Sequence, residues 1–197
     1  METGCGRGLE MTDDAEREIA TLRTRLVYEN RWMRVREDAI RRPDGSQGIY
    51  GVVEKPDFVV IAPVEEDGSV HLVEQYRYPV GARFWEFPQG AWEHAPGADP
   101  IDVARGELQE ETGLLAEHMT AAGHLLQAYG YATQGYHVFL ARGLRPAARK
   151  LDHEEQGLIT RRFSGSELTR MIRDGEIKDA TTVAALGLLQ LKGLFQP

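Results

Sequence analysis

The chain contains little of what disulfide-stabilised or membrane-spanning proteins need. Its 197 residues include one cysteine, Cys5, so an internal disulfide is excluded. It has no apolar run of the roughly 20 residues that a membrane-spanning helix requires. The start at Met1 also lacks the basic and then apolar pattern of a secretory signal. We therefore expect a cytoplasmic protein without a membrane partner, and we assign no role to Cys5.

Positive charge is in deficit. The chain carries 23 Lys and Arg against 31 Asp and Glu, which gives a formal net charge of −8. Proteins that bind the phosphate backbone of nucleic acids usually present a basic surface, so we expect no nucleic-acid partner. A small phosphorylated substrate is still allowed, because a few local Arg side chains and a metal ion suffice to bind it.

The remaining composition is that of a globular protein. Hydrophobic residues make up 42% and charged residues 27% of the chain. Residues 1–55 predict a small helix/β unit, with a charged helix over 13–24 and antiparallel strands after it, and 56–197 predict the main domain. The strands are expected at 26–29, 33–38, 48–53, 58–64, 70–77, 120–129 and 136–141, and two more helices at 166–174 and 181–192.

A further short helix is sharply delimited by its sequence. Asp99 is a suitable N-cap, Pro100 suits the first helical position, and Gly113 suits the left-handed residue after the last turn. Near its C-terminal end, Glu107 and Glu111 lie four residues apart on one flank, with Glu110 beside them.

Acidic residues are unfavourable at that end of a helix. Each costs about 0.3 to 1 kcal/mol against the helix dipole, and a like-charged pair costs a few tenths more. A solvated acidic face is the alternative explanation. Because carboxylate oxygens are the natural ligands of Mg²⁺ and Mn²⁺, we favour a site where Glu107, Glu110 and Glu111 bind one of these ions.

At these residues the chain resembles the Nudix hydrolases. Their signature runs Gly, five residues, Glu, seven residues, and then Arg-Glu-aliphatic-x-Glu-Glu-x-Gly-aliphatic, and residues 107–114 match every specified position after the Arg. The first half departs from the pattern. Gly106 stands in place of the Arg, Ala98 in place of the leading Glu, and Gly90 lies two residues earlier than the signature's first Gly.

These departures concern the support of the acidic residues rather than the acidic residues themselves. Arg105 is one residue, or about 100° of helix, from the signature position, and so is an imperfect substitute for its Arg. The lengthened loop over 91–97, which includes Trp92, either reshapes the mouth of the site or is a surface insertion.

Two segments, 74–90 and 177–182, resemble the ADP-ribose and nucleotide-sugar pyrophosphatase branch of the family. The resemblance implies that Arg77 contacts a phosphate or the base, with a surface Arg as the alternative. It implies that Glu86 approaches the metal or a metal-bound water, with a structural carboxylate as the alternative. It further implies that Gln89 offers its backbone carbonyl to the metal.

The same branch implies a role for the N-terminal unit in homodimer formation and in binding the base. Trp32 and Tyr50 fall where such aromatic residues lie, with ordinary packing as the alternative. Stacking of a base on an aromatic ring contributes roughly 1 to 3 kcal/mol and accepts any base.

An acidic loop over 152–156 resembles the loop that supplies a general base or a further metal ligand in this branch. One alignment register places Gln156 at the family position. Glu154 and Glu155 are the chemically competent residues, because a neutral amide cannot accept a proton from water.

The expected fold is therefore the Nudix α/β/α sandwich with a mixed sheet, preceded by the small antiparallel unit. The expected activity is metal-dependent hydrolysis of a nucleoside diphosphate derivative, of ADP-ribose or NDP-sugar type, into two monophosphates. Hydrolysis of dinucleoside polyphosphates or of RNA 5′ ends is one alternative, since residues 87–90 also resemble that branch. A non-catalytic nucleotide-sugar sensor is the other.

Overall fold

The structure, a computed structural model, describes residues 18–92, 95, 97–149 and 157–197. The chain divides into two compact units, Met1–Glu54 and Lys55–Pro197. No helix among the described residues is both long enough and apolar enough to cross a membrane.

The first unit contains an antiparallel sheet of β1 (Ala20–Glu29), β2 (Arg34–Arg41) and β3 (Gln47–Glu54), in that order. The predicted helix over 13–24 is wrong where the structure describes it, because β1 already begins at Ala20. Backbone pairing of Thr24 with Asp38 of β2 outweighs the local charge pattern, and the β-branched threonines suit a strand. Residues 13–17 lie outside the described part of the chain.

The second unit contains seven strands and three α-helices among the described residues. Four of the strands form a sheet in the order β7-β4-β9-β8, in which β4 and β9 are parallel and the other pairs antiparallel. The other three form an antiparallel sheet in the order β10-β5-β6. The elements are β4 (Phe58–Pro63), β5 (Val70–Arg77), β6 (Ala82–Glu86), β7 (Gln89–Gly90), α1 (Pro100–Thr112), β8 (Leu114–Leu126), β9 (Gly135–Pro146), β10 (Ile159–Phe163), α2 (Gly165–Arg173) and α3 (Ala180–Leu191).

Alternate residues of β4 face opposite layers, which confirms the predicted α/β/α sandwich. Val59 and Ile61 pack with Leu108 of α1 on one face of the sheet. Val60 packs on the other face with Leu168 of α2 and other residues of α2 and α3. A central strand covered on both faces is apolar throughout, as the sequence of β4 is.

Candidate active site

The boundaries of α1 are those that the sequence predicts. The carboxylate of Asp99 accepts the Ile101 N–H at 3.1 Å, and the helix ends at Gly113 with a φ of 71°. The Gly113 N–H closes the last turn on the Gln109 carbonyl at 2.9 Å. The apolar face of α1, which includes Leu108, packs on the mixed sheet. This packing fixes the direction in which the acidic flank of α1 points.

Two of the three acidic residues are buried. Glu107 is 5% and Glu111 1% exposed, whereas Glu110 is half-buried. A solvated acidic face does not account for this burial, because carboxylates are almost never fully buried unless their charge is compensated.

The short strand β7 brings the two buried carboxylates together. The Gln89 N–H donates to Glu111 Oε2 at 3.1 Å. The Glu107 carboxylate lies so close to Gly90 that a Cβ built there would be 2.5 to 2.7 Å from its three terminal atoms. Gly90 therefore forms a cradle for Glu107, and any larger residue would displace the carboxylate.

This donor set fits a hard divalent cation. The carboxylates of Glu107 and Glu111 both lie at β7, and Glu110 adjoins them in sequence. The family resemblance adds the carbonyl of Gln89 as a backbone donor. Oxygen ligands of this kind suit Mg²⁺ and Mn²⁺.

The position of the missing signature Arg is filled from the lengthened loop. A Cβ on Gly106 would overlap the indole of Trp92, with two further ring atoms only 3.0 Å away. Trp92 also packs, half-buried, against the apolar residues beneath α1. The described part of the loop therefore supports α1 through Trp92. This contact disfavours the alternative that the loop is only a surface insertion. Arg105 instead donates to the Ala116 carbonyl of β8 at 2.9 Å.

Glu86 lies at the end of β6 and is 2% exposed. Arg77 of β5 donates to both of its carboxylate oxygens, at 3.2 and 2.5 Å, and Gln75 donates to one of them at 2.8 Å. Burial raises the pKa of Glu86 above its ordinary value, the nearby Asp179 raises it further, and Arg77 counteracts both. Arg77 is thus oriented by Glu86, and its predicted contact with substrate stays a prediction.

Asp179 has a structural role that the sequence patterns did not indicate. It is the N-cap of α3, where its Oδ2 accepts the N–H and the hydroxyl of Thr182 at 2.8 and 2.7 Å. The same oxygen accepts the Gln89 side-chain amide at 3.2 Å, and the Thr182 hydroxyl accepts the Phe87 N–H at 2.9 Å. Asp179 and Thr182 therefore tie α3 to the segment that carries Glu86 and Gln89. The only indication in the sequence was that Asp179 stands just before α3, in a position suited to an N-cap.

The roles of the remaining predicted residues stay predictions. Trp32 and Tyr50 lie in the first unit and are both exposed, with the guanidinium of Arg31 stacked over the Trp32 ring at 4.1 Å. Glu154, Glu155 and the alternative Gln156 lie outside the described residues.

Comparison with known proteins agrees with this architecture. A model of the nucleoside diphosphate sugar hydrolase N-terminal domain matches residues 19–53, and the NUDIX domain model matches residues 54–186. A solved structure of an ADP compounds hydrolase superposes with a TM-score of 0.79, covering 90% of this chain and 97% of that chain at 23% identity. This likeness confirms the fold.

Curated relatives span most of the chain. An ADP-ribose pyrophosphatase from Mycobacterium tuberculosis is 31% identical over 87% of this chain and 83% of its own length. One from Bacillus subtilis is 27% identical over 91% and 96%, and a methanol dehydrogenase activator from Bacillus methanolicus is 30% identical over 89% and 94%. With the NUDIX model covering 54–186 and Glu107 and Glu111 buried together at β7, the chain belongs to the Nudix family, in its ADP-ribose pyrophosphatase-like branch.

Proposed function

We propose that the protein is a metal-dependent pyrophosphohydrolase that cleaves ADP-ribose or a related nucleoside diphosphate sugar into two monophosphates. The observation that carries the proposal is the burial of the Glu107 and Glu111 carboxylates at one short strand. The likeness to two ADP-ribose pyrophosphatases supports the substrate class.

Glu107, Glu110, Glu111 and the carbonyl of Gln89 would hold Mg²⁺ or Mn²⁺. When bound, such an ion neutralises phosphate oxygens and lowers the pKa of a coordinated water. The protein's own groups then position the substrate. Arg77 is held by two hydrogen bonds to Glu86, and its planar guanidinium is suited to binding a phosphate.

The reaction requires a proton acceptor. The oxygen of water forms a bond to one phosphorus, the bridging P–O bond breaks, and the second phosphate leaves with the electron pair of that bond. We assign the proton of the water to Glu154 or Glu155, because a carboxylate accepts a proton and the amide of Gln156 does not.

We also propose that the first unit serves homodimer formation and base stacking by Trp32 and Tyr50. Exposed large apolar side chains in this unit, among them Val27 and Ile49, support an interaction surface. A dimeric mass in solution is expected, and a monomeric mass would contradict the assignment. A cytoplasmic location is proposed as well, consistent with a chain whose single cysteine allows no internal disulfide, and cell fractionation tests it.

A substrate panel on the purified chain tests the activity. ADP-ribose, GDP-mannose and diadenosine tetraphosphate are incubated with Mg²⁺ or Mn²⁺, and the monophosphates released are measured. We expect preference for ADP-ribose or an NDP-sugar. Preference for the dinucleoside polyphosphate would move the protein to that branch, and tight binding without hydrolysis would indicate a sensor.

A matched pair of variants tests the metal ligands. Glu111→Gln should remove most of the metal-dependent turnover and keep the fold, whereas Glu117→Gln, on a side chain 64% exposed, should change neither. Near-normal turnover in Glu111→Gln would refute the assignment of Glu111 as a ligand.

A further inference from the structure

A second group of metal-binding side chains lies away from the acidic flank of α1. Asp57 immediately precedes β4, His124 lies on β8 and His137 on β9. The two histidines are direct cross-strand partners, with ring centroids 4.7 Å apart. Strand pairing therefore fixes their backbones relative to each other, and no loop movement is needed to bring the rings together.

The three side chains converge on one point. Each offers one ligand atom, and the three atoms lie within 4.8 Å of one another. Oδ2 of Asp57 is 2.8 Å from Nε2 of His124 and 4.0 Å from Nε2 of His137. Tetrahedral metal sites with ligand bonds near 2 Å need donor atoms roughly 3 to 3.5 Å apart, so small side-chain adjustments suffice.

The group is also supported by its surroundings. The Gly135 N–H donates to the other oxygen of Asp57 at 2.7 Å, which orients the carboxylate towards the histidines. A Cβ on Gly135 would overlap the His124 ring, so glycine is needed there for the ring to take its position. Hydrogen bonds to the outer atoms of ligands are the usual support of a metal site.

We propose that Asp57, His124 and His137 bind a divalent transition-metal ion of the zinc class, at a site separate from the proposed Mg²⁺ or Mn²⁺ site. Imidazole nitrogen suits Zn²⁺, Co²⁺ and Ni²⁺, whereas Mg²⁺ prefers an all-oxygen shell. Two histidines and one carboxylate leave a fourth position for water or a small ligand. The inference does not depend on the proposed hydrolase activity.

The charges that face this group favour a cation. Burial and the neighbouring His124 lower the pKa of His137, while Asp57 and Asp99 counteract them. The carboxylates of Asp57 and Asp99 supply negative charge beside the imidazole of His137. On His124, the metal would replace the proton that the hydrogen bond to Asp57 requires.

The fourth position has a place for a ligand. Asp57 and His137 line a cavity whose other walls include Phe58, Val59 and Trp92. A small molecule in this cavity would have apolar contacts on one side and the metal on the other. We expect ligands with a neutral nitrogen or a thiolate, which bind zinc-class ions well.

Cobalt titration tests the site. The full chain is stripped with a chelator, supplied with excess Mg²⁺ to fill oxygen sites, and titrated with Co²⁺ while its visible absorption is recorded. We expect one tightly bound Co²⁺ with the spectrum of a four- or five-coordinate site. His137→Gln and His124→Gln should each weaken binding at least about tenfold.

Two controls separate this site from others. His118→Gln, on a side chain 72% exposed, and Glu111→Gln should both bind Co²⁺ as the parent does. Unchanged Co²⁺ affinity in both His137→Gln and His124→Gln, or no such spectrum in the parent, would overturn the proposal. If His124→Gln fails to fold because it loses the hydrogen bond to Asp57, His137→Gln decides, since His137 is 4.0 Å from Asp57.

The outcome is independent of hydrolysis. Loss of turnover in Glu111→Gln with Co²⁺ binding retained would support both sites. Retained turnover in Glu111→Gln would refute only the assignment of Glu111 as a ligand of the proposed Mg²⁺ or Mn²⁺ site. Loss of Co²⁺ binding in Glu111→Gln as well as in His137→Gln would indicate a single shared site and refute the present proposal.

Discussion

The indole of Trp92 covers the face of Gly106, in the position that a side chain on that residue would occupy. The loop before α1 and the helix have therefore adapted to each other. A large ring from the loop takes the space, and the helix carries the one residue that leaves room for it. Apolar packing therefore occupies the place of the signature Arg, and an Arg introduced at residue 106 would overlap Trp92.

Gly106→Ala is expected to destabilise the protein. Alanine favours a helix by about 1 kcal/mol over glycine, but its Cβ would overlap Trp92, and overpacking of this kind costs about 1 to 3 kcal/mol. Chemical denaturation measures the difference in the free energy of unfolding.

Gly187→Ala is the matched control. Gly187 lies in α3 with no atom within 4 Å of a built Cβ, so the same substitution should stabilise the protein by about 0.5 to 1 kcal/mol. Equal effects of the two substitutions would show that Trp92 does not constrain residue 106.

Gly90→Ala should impair turnover with little effect on folding. The new Cβ would meet the Glu107 carboxylate, whose flexible side chain can move away at low cost. A displacement of about 1 Å in a catalytic arrangement can reduce the rate about 100-fold. Turnover with ADP-ribose and the melting temperature are measured together. Gly187→Ala, in α3 with open space around a built Cβ, is the control, and parental turnover in Gly90→Ala would contradict the cradle.

Arg77→Gln should destabilise the protein at pH 7 by about 1 to 3 kcal/mol, because it leaves the buried Glu86 carboxylate without its charged donor. The double variant with Glu86→Gln should recover part of the loss. A double-mutant cycle on the free energy of unfolding measures the coupling. Additive effects would show that the two residues are not coupled.

The raised pKa of Glu86 predicts a pH dependence. Its ordinary value is 4.5, and the folded protein holds the proton to higher pH than the unfolded chain. The stabilising contribution of the protonated form is full below 4.5 and is lost as the pH rises through the folded pKa. Relative to Glu86→Gln, the parent should therefore lose stability as the pH rises above 4.5.

Arg77 lowers the pKa of Glu86, so Arg77→Gln should extend this loss to higher pH. Denaturation curves between pH 4 and 8 test both variants. A difference between the parent and Glu86→Gln that does not change with pH would contradict the raised pKa.

Thr182→Val should cost about 1 to 3 kcal/mol, because it removes the acceptor of the buried Phe87 N–H and the hydroxyl donor to Asp179. Thr182→Ser keeps the hydroxyl and should therefore retain most of the stability that Thr182→Val loses. Thermal unfolding of the two variants compares them. If valine and serine behave alike, packing rather than hydrogen bonding determines the role of Thr182.

Local patterns predicted much of the fold. Asp99 and Gly113 cap α1 as their sequence positions predict, and β5 has its predicted bounds of 70–77. The prediction of a helix over 13–24 is wrong where the structure describes these residues. The strand β1 forms there because it pairs with β2, and local sequence patterns do not report such pairing. The pairing of Arg77 with Glu86 was not evident from the sequence either, because the two side chains meet only when β5 pairs with β6.

The sequence by itself determined the spacing of Glu107, Glu110 and Glu111 on α1 and the apolar alternation of the strands, because the backbone geometry of a helix or strand fixes such neighbours. Only the tertiary structure decided that Trp92 covers Gly106, that Asp179 binds Gln89, and that Asp57 meets two histidines. The last two contacts join residues that are 67 or more positions apart in the chain, and that of Trp92 depends on the path of a loop. Strand order and loop path, which the packing of the whole chain sets, bring such residues together.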